Sequence, residues 1–307
     1  MQIKIVAQLG TSSVAAVTTG QRVFFLVQAL LMGVSVAATA MVARSWGAKD
    51  VNKAELVTWT SLVISVVLAG VVSIPVVLAP HAVVGLFGLD EVTTALAASY
   101  VFWLGVFNIF TAINVMLGTA LRATGDVITP LWYLLFSSIL NVFFAYLLAF
   151  GIGPFPELGV AGVSFGGSFG AALITIVFVI VWWRGHFNLK PARPLRVDFA
   201  MTRRLITIAA PSVIEQGIVQ IAFLAFFAIV AHFGTVAYAA YGIGITLVAF
   251  PIVIGFGFGI ATATLVGQHL GAGETESAMH AVSRSLRMAL AVMVALSIIL
   301  ASSAEEL

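Results

Sequence analysis

Long apolar stretches, nearly free of charge, recur along this chain at about residues 21–44, 56–79, 95–120, 130–151, 160–183, 205–231, 237–267 and 284–303. Where lipid is the solvent, every backbone N–H and C=O must be bonded within the protein, which leaves helices and closed barrels. A helix needs about 20 apolar residues to cross ~30 Å of hydrocarbon and a barrel strand only about 10, so these lengths predict eight transmembrane α-helices. Ahead of them, Ile5 to Gly10 reads as the last turns of a further helix whose beginning is missing, because six residues cannot cross a bilayer.

The polar residues between the runs alternate in charge. Arg44, Lys49 and Lys53 share one connection and Arg122 lies in the next but one. Arg184, Lys190, Arg193, Arg196, Arg203 and Arg204 occupy a third, and Arg284 and Arg287 a fourth. The intervening connections carry Asp90, Glu91 and Glu157 and no Lys or Arg. The positive-inside rule places the basic set in the cytoplasm, with Lys4 and Arg22 outside the pattern.

Residues 9–54 lie on residues 233–278 without a gap, at an offset of 224. Gly10 and Thr11 meet Gly234 and Thr235, Ala15 and Ala16 meet Ala239 and Ala240, and Gly20, Gly33 and Ala37 meet Gly244, Gly257 and Ala261. Val42, Gly47, Ala48 and Ala54 continue the match at Val266, Gly271, Ala272 and Ala278. Apolar composition alone does not place identical glycines at helix ends and in loops, so the match reads as a duplication. Both copies begin in a basic-free connection and end in a basic one, which makes them parallel repeats. The expected fold class is all-α integral membrane, with two parallel-repeat six-helix lobes, the first nearly complete and the second truncated after about three helices. The expected division is 1–190 for the N-terminal lobe with its first helix truncated, 191–204 for a cytoplasmic linker holding Pro191 and Pro194, and 205–307 for a partial C-terminal lobe.

Composition agrees with this and removes competing classes. Of 307 residues 61% are hydrophobic and 8% charged, with a mean hydropathy of +1.14, too little polar surface to cover a soluble globule. A net charge of +2 and a pI near 9.1 would suit a nucleic-acid partner, but the basic residues are spread between apolar runs, so topology explains them and no nucleic acid is expected. The absence of cysteine excludes disulfides and thiolate metal sites. Five scattered histidines without HExxH spacing argue against a metal site, and no G-x-S-x-G elbow supports an enzyme. Gly162, Gly166 and Gly170, every fourth residue, would let another helix approach closely. Gly255, Gly257 and Gly259 do not complete a dinucleotide fingerprint.

A further set of residues is specific by order and spacing. Leu9-Gly10 precedes Ala15-Ala16, and Leu31-Met32-Gly33 leads to Val42-Ala43-Arg44 and Gly47-Ala48. Gly118 is followed by Leu121-Arg122-Ala123-Thr124-Gly125-Asp126 and Thr129-Pro130, then by Asn141, Phe150-Gly151 and Leu158-Gly159-Val160-Ala161-Gly162. Pro211 with Glu215-Gln216, Gly255-Phe256-Gly257, Val266-Gly267-Gln268 and Leu270-Gly271-Ala272-Gly273 complete the series. Together they make the chain resemble the multidrug and toxic compound extrusion family over essentially its whole length. The resemblance implies a secondary active transporter of the inner (plasma) membrane, multi-pass and monomeric. Its expected substrate is a cationic or amphipathic drug, exported by alternating access in exchange for protons or sodium ions, with no cofactor beyond the coupling ion. The alternatives are a lipid-linked glycan flippase of related fold, which would call for a more cationic cavity, and a non-transporting truncated membrane remnant.

Ionisable groups within hydrocarbon cost about 2.5–3.5 kcal/mol on insertion scales, so each asks for a reason. Glu215 follows Pro211 by four residues, where a missing amide frees a carbonyl and makes the turn polar. Gln216 and Gln220 share a helix face, with Glu215 about a third of a turn away, so the three can line one side of a cavity. The resemblance implies cation coupling for Glu215; the competing reading is a solvated carboxylate at the cytoplasmic helix end. Asn108, Asn114 and Asn141 are candidates for a substrate or ion cavity, against interhelical hydrogen bonds of about 0.6 kcal/mol. Family members often place an aspartate four residues after the asparagine matching Asn141; this chain has Ala145, which weakens a coupling site in the first lobe.

Overall fold

The structure is a computed structural model that describes residues 2–192, 198–231 and 235–302. Arg193, Pro194 and Arg196 of the expected linker, and Gly234 of the repeat, lie outside the described residues. The helices in chain order are α1 (Gln2–Ala7), α2 (Thr11–Gly47), α3 (Val51–Leu78), α4 (Pro80–Gly85), α5 (Glu91–Ala123), α6 (Ile128–Phe150), α7 (Gly159–Trp183), α8 (Phe199–Ala231), α9 (Thr235–Gly271) and α10 (Thr275–Ser302). All except α1 and α4 are long and apolar enough to cross a membrane, and the described residues contain no strand.

Each of the eight apolar runs is a helix, and most extend beyond the apolar core of the run. Hydropathy hides the polar first turns of α3 and α5, which side-chain caps hold. Asp50 Oδ1 accepts from the Lys53 amide at 3.1 Å and starts α3 at Val51; Asp90 Oδ2 accepts from the Thr93 amide at 3.0 Å and starts α5 at Glu91. The short α4 was not expected; Pro80 at its first turn fits a helix start, where no amide is needed.

The offset of 224 reappears in the backbone. Helices α2 and α9 end at the equivalent residues Gly47 and Gly271, and α3 and α10 begin at the equivalent residues Val51 and Thr275. The corners between them repeat bond for bond. Ala48 N donates to Arg44 O at 3.1 Å as Ala272 N does to Gln268 O at 2.9 Å, and Asp50 N donates to Ser45 O at 3.0 Å as Glu274 N does to His269 O at 2.8 Å. The left-handed residue that permits this closure is Lys49 (φ 60°) in one copy and Gly273 (φ 81°) in the other.

Without a hydrophobic contrast between lipid and protein, helices associate through close packing and interhelical hydrogen bonds. On α7, a Cβ at Gly162, Gly166 or Gly170 would overlap the carbonyls of Leu148, Phe144 and Leu140, so this glycine face seats α7 against the backbone of α6. A Cβ at Gly33 would overlap Val213, which sets α8 against the middle of α2. At the C-terminal ends of α2 and α9, a Cβ on Gly47 would overlap the Gln268 carbonyl and one on Gly271 the Arg44 carbonyl. These four residues are repeat equivalents, so α2 and α9 cross on a local two-fold, on the side the basic connections assign to the cytoplasm.

Candidate substrate cavity and cation site

Within the body formed by α2, α5, α6 and α7 lies a cavity of about 420 Å³. Helix α2 contributes Gln21, Phe24 and Phe25, α5 contributes Tyr100 and Thr111, α6 contributes Asn141, and α7 contributes Ser164 and Ser168. A Cβ at Gly20 would overlap the Tyr100 ring, so this glycine lets the ring lie against α2, where Tyr100 and Gln21 line the same cavity. Beside the cavity, Trp103 and Phe107 of α5 pack edge-on against Phe165 of α7, with centroids 4.6 and 5.8 Å apart. The described lining has no Asp, Glu, Lys or Arg, so its polarity comes from amides and hydroxyls.

Each asparagine singled out from the sequence ties two helices. Asn108, 1% exposed, donates from Nδ2 to Ala69 O at 3.3 Å and Ser73 Oγ at 3.1 Å, joining α5 to α3. Asn114 Nδ2 donates to Thr175 Oγ1 at 3.3 Å, joining α5 to α7. Asn141 Nδ2 donates to Gly167 O at 2.8 Å while its side chain also faces the cavity. Ala145, one turn further on, is fully buried where Gly166 approaches its backbone nitrogen, so an aspartate there would be forced into a dry helix interface.

Glu215 is exposed on α8, and Gln216 and Gln220 are half-buried on the same helix. Among the described residues the Glu215 carboxylate makes no hydrogen bond or ion pair, and none of the three belongs to the described lining of the α2–α7 cavity. The structure places the two groups of candidates apart: the asparagines on α5 and α6 of the first repeat, and Glu215 with its glutamines on α8. Gln21, Tyr100, Thr111, Ser164 and Ser168 were missed. A polar residue inside an apolar run marked Gln21 as it marked Glu215, and Ser164 and Ser168 lie about 200° round α7 from its glycine face.

Parallel helical repeats that cross on paired glycines, the first of them holding a cavity among its apolar helices, define a multi-pass membrane protein of the two-repeat class. The MatE family model matches residues 2–147 and 211–307, and the chain belongs to this family. The probable multidrug resistance protein YoeA of Bacillus subtilis is 26% identical over 270 residues, 87% of this chain and 58% of that protein. A FAD transporter of Shewanella oneidensis is 26% identical over 311 residues, 98% of this chain and 67% of that protein. The outward-facing conformation of a multidrug resistance MATE family transporter of the MOP superfamily superposes with a TM-score of 0.86 at 22% identity, covering 97% of this chain and 66% of that one. The chain thus spans about three fifths to two thirds of the length of these relatives.

Proposed function

We propose that the protein exports cationic or amphipathic organic molecules in exchange for protons or sodium ions, by rocking of the two repeats about a midplane cavity. The observation that carries this reading is the lining of the α2–α7 cavity: aromatic rings and uncharged polar groups, with no Lys or Arg among the described residues. Ring faces attract organic cations and accept varied apolar shapes, whereas a phosphate-bearing cargo would call for fixed positive charge. Relatives named as probable multidrug resistance proteins point the same way.

In this reading Glu215 holds the coupling cation, with Gln216 and Gln220 beside it, and Asn141 faces the substrate. Pro211 removes the amide that the Thr207 carbonyl would accept, which keeps this part of α8 polar and hydrated next to the carboxylate. One charge falling through 100 mV releases about 2.3 kcal/mol, enough for a gradient of a few tens of fold at one-to-one coupling.

The test is efflux of a fluorescent cationic dye from cells expressing the complete reading frame, under imposed proton and sodium gradients. Gradient-dependent efflux that is lost in Glu215→Gln, with insertion intact, supports the antiporter and its site. Coupled export that survives in Glu215→Gln removes the role given to this residue, and absence of efflux from well-inserted native protein removes the substrate class.

A further inference from the structure

A second cavity, of about 340 Å³, lies where the C-terminal ends of α2 and α9 cross. Three cationic side chains from three helices line it: Arg44 of α2, Lys53 of α3 and Arg204 of α8, with Leu270 and Gly271 of α9 completing the wall. The positive-inside rule explains why basic residues occupy this side of the membrane, but not why three exposed ones from three helices line the same open cavity. The only acid in the lining is Asp50, and its Oδ1 already accepts the Lys53 amide as the cap of α3. The ion pairs among the described residues are His269–Glu274 and His280–Glu276, so none of the three cations is neutralised by a carboxylate there.

The repeat shows that this charge is particular to one side of the crossing. The equivalent of Arg44 is the neutral Gln268, whose Nε2 donates to Ala123 O at 2.9 Å and is occupied with the end of α5. Arg44 has no such use for its guanidinium and opens onto the cavity instead. Guanidinium and ammonium groups brought together at the cytoplasmic face of a helical bundle suit phosphate oxygens, which accept several charge-assisted hydrogen bonds at once.

We propose that this cavity binds a phosphate-bearing anion, held by Arg44, Lys53 and Arg204. Because these donors come from α2 and α3 of the first repeat and from α8, which leads into the second, the bound anion ties the two repeats together beside the Gly47–Gly271 crossing. It thereby favours the arrangement in which the cytoplasmic ends of α2 and α9 are closed. The phosphate can belong to an anionic lipid of the cytoplasmic leaflet or to a soluble ion.

The experiment uses the full-length protein, purified in a non-ionic detergent and phosphate-free buffer, titrated separately with phosphatidylglycerol, phosphatidylcholine and inorganic phosphate while thermal unfolding is followed. A rise in midpoint with phosphatidylglycerol but not inorganic phosphate supports the site with a lipid headgroup as ligand. A rise with inorganic phosphate supports it with the phosphate group itself as the determinant. In either case the combined variant Arg44→Gln, Lys53→Gln, Arg204→Gln is expected to weaken apparent affinity by about tenfold or more, whereas Arg284→Gln with Arg287→Gln, outside the cavity, leaves it unchanged. If the combined variant does not fold, Lys53→Gln alone, at an exposed side chain, is expected to weaken the same titration. Equal midpoints with all three additions, or an undiminished response in the cavity variants, overturns the proposal.

Discussion

At the α2–α3 corner Arg44 stands where the α9–α10 corner has Gln268, Ser45 where it has His269, Lys49 where it has Gly273, and Asp50 where it has Glu274. The main-chain hydrogen bonds of the two corners nevertheless match one for one. Closing such a corner takes a helix end, one residue in the left-handed region and a following helix start, and several side chains permit that. The side chains are then free to diverge: Gln268 docks α9 onto the end of α5, Glu274 pairs with His269 at 3.0 Å, and Arg44 turns to an open, positively charged cavity. A duplicated backbone has thus kept its geometry where bonds are local and changed its chemistry where the two copies face different neighbours.

The strongest way to break this comparison is at the crossing itself. Gly47→Leu or Gly271→Leu drives a side chain into a backbone carbonyl of the opposite repeat, and each is expected to cost about 1–3 kcal/mol or to separate the two helices. Thermal unfolding in detergent checks this; equal losses are expected because the two sites are equivalent, and one silent member would disprove the local two-fold. Next in size is an exchange at the left-handed position. Gly273→Lys is expected to destabilise by about 1 kcal/mol through its positive φ, whereas Lys49→Gly relieves strain and gains a few tenths at most, since glycine also loosens the unfolded chain.

Gln268→Ala removes one hydrogen bond to the end of α5 and is expected to cost about 0.5–1.5 kcal/mol, with faster amide exchange around Thr124 and Gly125. The Arg44→Ala variant leaves that exchange unchanged, because Arg44 makes no such bond. The smallest effect is electrostatic. Hydrogen bonds from His269 and then Ser277 hold the Glu274 carboxyl below its ordinary value of 4.5. A depressed carboxyl contributes stability above the unfolded value and loses it as pH falls through the folded value, so the α9–α10 corner should loosen only under acid. NMR titration of Glu274 checks this: His269→Ala should move its midpoint back toward 4.5.

Legibility differed between elements for identifiable reasons. Helix α7 was readable to within a residue, because its apolar run begins and ends abruptly at Gly159 and Arg184. The start of α3 was hidden by a polar turn, although Asp50 before Lys53 is a cap signal. The glycine spacing of α7 foretold close packing and met the α6 backbone as expected. Nothing in the sequence said that Asn108 would tie α5 to α3 while Asn141 reached the α2–α7 cavity, because a buried amide on an apolar helix carries no mark of its direction.

Residue order alone determined the number of crossing helices among the described residues, the duplication and the family. These follow from run length and from self-similarity, both properties that add up along the chain. Tertiary structure decided which groups meet: glycine with carbonyl at the α2–α9 crossing, Asn141 and Gln21 in one cavity, Arg44, Lys53 and Arg204 in another. Lipid is as apolar as leucine, so a membrane helix needs no amphipathic stripe to show which face turns inward. Rotation and crossing angle are set only when helices pack, and the sites depend on both.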